Sequence, residues 1–470
     1  MLFNSPVFLF FFLPLTLIGY YLTPKKLKNL FLLLASLFFY TWGEKELVVL
    51  IMASTFVDYS AGLIIEKGHR KLGLYLSIFF NLGLLFIFKY LNFTVYNLDS
   101  ALIGLNLDNS FLKSYNEIIL PLGISFYTFQ TMSYTIDVYK GNVKATKNLI
   151  NFGTYVALFP QLIAGPIVKY KDVEIQLINR KVDFAKFAEG IERFIIGLAK
   201  KMLIANHAAF LVDGIFGMPS EQLSTQLAWL GLVAYSIQLY FDFSGYSDMA
   251  IGLGKMFGFD FLENFNFPYI SKSIREFWKR WHISLTNWFK EYVYFSLGGS
   301  RISVKRTYIN LAILFFITGL WHGADWTFIL WGMLHGFFII IERLGLEKWL
   351  KKSAVLGHTY MILALFLTWP FVRCNNIGEA WLYFKKMFAF DFFDTSQFND
   401  FYITSEVIAA LLIGILFSTR VLLILQEKLV SHREKWGYLT IKYSLLILLF
   451  IISCVYISID SYDPFIYFRF

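Results

Sequence analysis

The feature that most limits what this chain can become is a succession of apolar stretches, each about as long as the hydrocarbon core of a bilayer is thick. A helix needs about 20 apolar residues to cross that core. Such stretches occupy residues 5–22, 28–43, 47–65, 72–91, 226–251, 307–322, 326–342, 357–373, 405–424 and 441–460. The region 118–216 is apolar but interrupted, and is expected to hold two or three more. The expected count is about eleven spans, give or take one or two. Only 16% of the residues are charged, against roughly a quarter in soluble domains. The 53 Phe and 28 Tyr exceed what one aqueous core can hide. The expected fold class is all-α, a polytopic transmembrane helical bundle, with residues 1–470 as a single membrane-embedded domain. Residues 1–22 lack the basic n-region and A-x-A site of a signal peptide, so they read as a retained first helix.

A net charge of +9 raises the question of nucleic acid. The cations, however, fall in short clusters between apolar stretches, where the positive-inside rule places them; no nucleic-acid partner is expected. Lys25, Lys26 and Lys28, then Lys67, Arg70 and Lys71, mark cytoplasmic loops, and so do the basic stretches 271–306, 342–352 and 426–435. Lys45 is offset by Glu44 and Glu46, and the 92–117 loop is nearly uncharged, as suits outer loops. Both chain ends, including Tyr467-Phe468-Arg469-Phe470, are therefore expected outside. Cys374 and Cys454 lie too far apart for a metal motif and read as unreactive. With no phosphate loop, metal-ligand cluster or serine nucleophile elbow, neither nucleotide hydrolysis nor a metal is expected.

Two places break the pattern of straight spans. Pro160, Gly165 and Pro166 interrupt the apolar run 151–169. Proline removes a backbone donor, and freed carbonyls are costly in lipid. The segment is thus either a kinked helix or a re-entrant one lining a cavity. Over 271–292, Ile274, Phe277, Trp278, Trp281, Leu285, Trp288, Phe289 and Tyr292 recur at helical spacing, with Lys272, Arg275, Lys279 and Lys290 on another face. This predicts an amphipathic helix in the cytoplasmic interface, with His282 at the edge of its apolar face.

Of the seven histidines, His69, His358 and His432 are expected to be solvated, and His207 sits in the interrupted region. His282, His322 and His335 remain. His322, in Trp321-His322-Gly323, ends an apolar span, and an ionisable group at membrane depth needs a role or a partner. A neutral imidazole there could accept a proton; from the spacing alone, a ring merely packed with a carbonyl partner is the favoured reading. His335 could pair with His322 or simply pack, and Asp325 could orient the imidazole only if the turn stayed helical past Gly323. Asp242 and Asp248 either tie helices together or line a polar path, the former being the simpler role.

Several segments together resemble the membrane-bound O-acyltransferase family, in its alginate O-acetylation branch. They are Phe3-Asn4-Ser5-Pro6-Val7-Phe8-Leu9-Phe10, Pro121-Leu122-Gly123-Ile124-Ser125-Phe126-Tyr127-Thr128-Phe129-Gln130 and Phe159-Pro160-Gln161-Leu162-Ile163-Ala164-Gly165-Pro166-Ile167. The Asp242 to Asp248 stretch, Arg280-Trp281-His282-Ile283-Ser284-Leu285, Trp321-His322-Gly323 and the aromatic C-terminus complete the set. The resemblance runs nearly end to end. It implies catalysis by His322 with His282, around a central funnel or pore, with re-entrant and interfacial helices; Asp242, Asp248, Trp321 and His335 are the candidates to line it. It implies acyl transfer from a cytoplasmic thioester, acetyl-CoA with no bound cofactor, toward a hydroxyl of a cell-envelope polysaccharide. An extracytoplasmic acetyltransferase or acceptor protein is the expected partner, and the bacterial cytoplasmic membrane the expected location. Arg275, Lys279 and Arg280 could attract the anionic coenzyme by charge. Two alternatives stay open: D-alanyl transfer to teichoic acid from a carrier protein, and a polysaccharide transporter or flippase.

Overall fold

The structure is a computed structural model and describes residues 1–109, 112, 115–181, 183–391, 403–429 and 436–459. Every regular element among them is helical. Lys25–Glu66, Arg70–Gly104, Phe184–Phe216, Trp326–Leu350, Ala354–Arg373 and Trp436–Ile459 are long and apolar enough to cross a bilayer, and Phe8–Leu22 and Ser405–Phe417 are shorter apolar helices. Large apolar side chains such as Leu15, Phe79 and Ile447 stand exposed on them, which suits lipid and not water. The chain is a multi-pass membrane protein.

The stretches 226–251 and 307–322 form the helices Thr225–Met256 and Val304–His322. The helices begin where the sequence supplies a cap: Ser303, Ser353 and Asn376 accept from the N–H groups of Arg306, Leu356 and Glu379, meeting donors that the first turn leaves orphaned. The expected span 405–424 is not one helix. It stops at Phe417 and resumes as Val421–Leu429. The Ser418 and Thr419 hydroxyls donate to the carbonyls of Gly414 and Leu416, and Thr419 also accepts from Val421 N–H, so side chains compete with the helical ladder. The 426–435 stretch in part, His432 and the C-terminal 467–470 lie outside the described residues.

The described chain forms two compact units. The first comprises Met1–Phe187 with Gly254–Phe261. Within it, the interrupted run folds as Leu149–Ala157 and the short Phe159–Leu162, followed by non-helical backbone to Lys169. Residues 152–170 are all buried, so the break lies inside protein. Side chains replace the lost backbone bonds. Ser36 Oγ accepts from Phe159 N–H at 3.1 Å, Gln161 Nε2 donates to the Tyr155 carbonyl at 2.6 Å, and the Tyr155 hydroxyl reaches the carbonyls of Gln130 and Val168 at 3.0 and 3.1 Å. Asp58, a buried carboxylate that periodicity did not single out, joins Ser77 and Asn81, and Asn81 accepts in turn from Ser54 and Thr131. This network ties Val48–Glu66, Arg70–Leu85 and Ile124–Lys140 together.

The second unit comprises the described residues of Ala188–Leu253 and Leu262–Phe470. Two of its helices touch along a glycine seam. A Cβ on Gly197 would stand 2.5 Å from the Gly245 carbonyl oxygen, and one on Gly252 would stand 2.6 Å from that of Gly190. Only glycine permits this approach, the usual basis of close helix packing in membranes. At the start of the Thr225–Met256 helix, Asp391 accepts from the Thr225 N–H and hydroxyl at 3.0 and 2.8 Å.

The Lys386 ammonium at 2.8 Å from Asp391, helped by Thr225, holds that carboxyl below the usual carboxylate range. A depressed pKa contributes stability above the ordinary value near about 4 and loses it as the pH falls through the folded one. Thermal unfolding should therefore show wild type more stable than Asp391→Asn at pH 7, with the gap closing below about pH 4. A gap of constant size down to pH 2.5 would contradict the assignment.

Candidate active site

The site residues all belong to the second unit. Val304–His322 and Trp326–Ile341 form a tight hairpin. A Cβ on Gly319 would meet the Phe328 carbonyl oxygen, and one on Gly332 that of Phe315, each at 2.4 Å. The first helix ends at His322 because Gly323 is extended, and Asp325 opens the second by accepting from Thr327 N–H at 2.7 Å. Asp325 is thus a helix cap and does not orient the imidazole, since the turn does not stay helical. The Thr318 carbonyl does so instead, 2.8 Å from His322 Nδ1. A carbonyl can only accept, so Nδ1 carries the proton and the neutral ring keeps its lone pair on Nε2. His322 is 6% exposed, buried but not sealed.

The expected amphipathic helix over 271–292 is broken where His282 stands. Ile274–Arg280 ends at Trp281, His282 adopts left-handed φ 44°, ψ 54°, and Ile283–Trp288 follows. Such a conformation costs a β-carbon residue about 1–3 kcal/mol. The break is held by a neighbouring non-helical segment: Ile283 N–H donates to the Asn264 carbonyl at 3.0 Å, and Asn266 N–H to that of Arg280 at 2.9 Å. Asn264 Oδ1 also accepts from Ser284 N–H at 3.2 Å and its hydroxyl at 2.9 Å, and lies 3.2 Å from His282 Nδ1. That oxygen can only accept, so His282 also holds its proton on Nδ1. His282 is wholly buried.

A row of rings connects the two. Phe243 and His282 are 4.7 Å apart between centroids, His282 and Trp321 6.2 Å, Trp321 and His322 5.0 Å, and His322 and Trp331 4.7 Å. Trp321 thus stands between the candidate histidines. Three of the candidates to line a pore are buried beside polar partners. His335 accepts at Nδ1 from Trp278 Nε1 at 3.2 Å, which leaves Nε2 to donate to Thr368 Oγ1 at 3.3 Å. It is fully buried, with both nitrogens used in packing. Asp242 is equally enclosed, 2.8 Å from Lys201 Nζ, the pair at 1% and 0% exposure. Asp248 binds Arg193 at 2.7 Å and Lys200 at 2.6 Å. Both carboxylates clamp Thr225–Met256 to the helical stretch Phe184–Phe216 across the glycine seam, the simpler of their two roles.

Of the three expected donor-binding cations, Arg275 pairs with Glu347 at 2.9 Å and Arg280 with Glu276 at 2.9 Å, while Lys279 is exposed. Glu342 accepts from Ile274 and Arg275 N–H at 2.6 and 3.0 Å, a carboxylate at a helix N-terminus. Sequence reasoning passed over Lys201, Asn264, Thr318 and Glu342. Only the adjacent Lys200-Lys201 within an apolar run carried a visible signal.

Residues 143–366 match MBOAT, the membrane-bound O-acyltransferase family. The chain is 44% identical over 422 residues to the probable alginate O-acetylase AlgI of Azotobacter vinelandii, covering 88% of this chain and 83% of that protein. It is 40% identical over 493 residues to the Pseudomonas putida protein of the same name, covering 100% of both. With the peptidoglycan O-acetyltransferase of Helicobacter pylori it shares 37% over 431 residues, 82% of this chain and 80% of that one. The chain belongs to the membrane-bound O-acyltransferase family. It is an enzyme, an O-acyltransferase.

Removing one partner of a buried ion pair strands the other charge at a cost of about 3–5 kcal/mol, whereas replacing both with apolar residues can be neutral. Lys201→Met is therefore expected to lower the unfolding temperature of the purified protein sharply, and Lys201→Met with Asp242→Leu to restore most of it. Equal losses in both variants would show that the pair has no such coupling.

Proposed function

We propose that this enzyme transfers an acetyl group from cytoplasmic acetyl-CoA across the membrane, toward a hydroxyl of a cell-envelope polysaccharide or of an extracytoplasmic partner protein that modifies it. The observation that carries this reading is the 2.8 Å hydrogen bond from His322 Nδ1 to the Thr318 carbonyl, which keeps Nε2 as a base. Nε2 takes the proton of the acceptor hydroxyl while its oxygen attacks the thioester carbonyl. The carbon–sulfur bond then breaks, and the imidazolium returns a proton to the departing thiolate. His282, fixed in the matching tautomer by Asn264, positions the donor. The relatives' names support acetyl as the group and an envelope polysaccharide as its destination. The setting we propose is the bacterial cytoplasmic membrane, with both chain termini outside.

His322→Ala should remain folded and membrane-inserted while envelope acetylation falls by about 100-fold or more, the usual contribution of general-base catalysis. Mass analysis of released envelope sugars reads this directly. A folded His322→Ala protein that acetylates at the wild-type rate would sink the proposal.

Lys279 is the exposed member of the three cations, with Arg275 and Arg280 already neutralised by Glu347 and Glu276. Lys279→Glu should raise the KM for acetyl-CoA by about three- to tenfold with little change in kcat, and added salt should raise the wild-type KM and narrow the difference. An unchanged KM at low ionic strength would remove Lys279 from the donor path.

A further inference from the structure

We propose that Asn264 is a catalytic residue whose side-chain N–H groups hold the thioester carbonyl oxygen and the negative charge that develops on it. This rests on the acyl-transfer reading above. Asn264 is completely buried, in the non-helical segment that precedes the Pro268–Ile270 turn. Its amide orientation is fixed by chemistry. Ser284 N–H faces one end at 3.2 Å, and a backbone N–H can only donate, so that end is the oxygen. The same oxygen takes the Ser284 hydroxyl and the His282 Nδ1 proton. Nδ2 therefore points away from Ser284, still beside His282, and finds no hydrogen-bond partner among the described residues.

A wholly buried amide N–H₂ without a partner is costly and rare, and it calls for a reason. Here three donors crowd the oxygen while the two N–H groups are left unmet, next to a histidine that itself sits in a strained left-handed conformation. Neutral donors preorganised in this way suit an oxygen that is uncharged in the substrate and anionic in the transition state, because their bonds strengthen as the reaction proceeds. They suit neither a phosphate nor a carboxylate, for which the charge of an Arg or Lys serves better.

The step balances. The acceptor oxygen bonds to the carbonyl carbon as His322 takes its proton, and the carbonyl π pair moves onto oxygen, where the Asn264 N–H groups receive it. On collapse the C=O bond re-forms, the C–S bond breaks, and the thiolate takes the proton from His322. One alcohol and one acetyl thioester become one ester and one thiol.

Asn264→Asp isolates the claim, since it retains an oxygen for Ser284 and His282 and replaces only the N–H₂ group. In the purified full-length protein it should lower kcat for acetyl transfer from acetyl-CoA by about 100- to 1000-fold. The KM for acetyl-CoA should stay within about threefold. A second measurement needs no variant: the infrared carbonyl stretch of [1-¹³C]acetyl-CoA bound to wild-type protein without acceptor should lie below its value in water. An unshifted band in wild type overturns the proposal, and so does an Asn264→Asp protein that turns over normally. The same holds if KM and stability collapse together, which would mark the residue as structural. Trp331 Nε1, another buried N–H near these histidines that finds no partner among the described residues, supplies the rival. Loss in Trp331→Phe but not in Asn264→Asp would move the role there and overturn the assignment to Asn264. If His322→Ala stays active, the acyl-transfer reading itself falls; if His322→Ala is inactive and Asn264→Asp is not, only this inference does.

Discussion

Hydrocarbon supplies no hydrogen bonds, so every polar group the helices carry into it must find its partner within the protein. Much of the local architecture follows from that constraint. Around the broken segment after Ala157, Ser36, Gln161 and Tyr155 stand in for the missing helical bonds. Asp58 is satisfied by Ser77 and Asn81 of a neighbouring helix. The same rule orients His322: its Nδ1 proton goes to the Thr318 carbonyl one turn back, and the tautomer of the ring is a consequence of satisfying that proton.

Close packing makes these bonds reachable. Gly197 and Gly245 let two helices meet backbone to backbone, which brings Lys201 to Asp242 and Lys200 and Arg193 to Asp248. The π-helical turn Lys200–Ala205 lies at this point, and two successive lysines there engage carboxylates six residues apart on one neighbouring helix. At the other hairpin, Gly319 and Gly332 bring the Trp321–His322 end close to Trp331. The ion pairs and the aromatic row are thus two results of one device, small residues placed where helices cross.

Much of this was legible in the chain itself. Apolar length marked Lys28–Glu44, Val48–Glu66, Ala354–Arg373 and Trp436–Ile459 within a few residues, because a membrane span is a local property of composition. Proline and glycine correctly marked the break after Ala157. Periodicity misled at 271–292, where apolar residues keep helical spacing across a break at His282. The bonds that make the break come from Asn264 and Asn266, and no local pattern reports them.

Sequence alone determined that the chain lives in a membrane, that it is helical, and that His282 and His322 deserved suspicion, since each of these depends on residue type and near neighbours. Tertiary structure alone decided what the polar groups do. Asp242 and His335 share with His322 the look of intramembrane polar residues, yet Lys201, Trp278 and Thr368 engage the first two in packing, while the Thr318 carbonyl fixes the tautomer of His322. The physical reason is that the role of a buried polar atom is set by which partner reaches it, and those partners come from elements far apart in the chain.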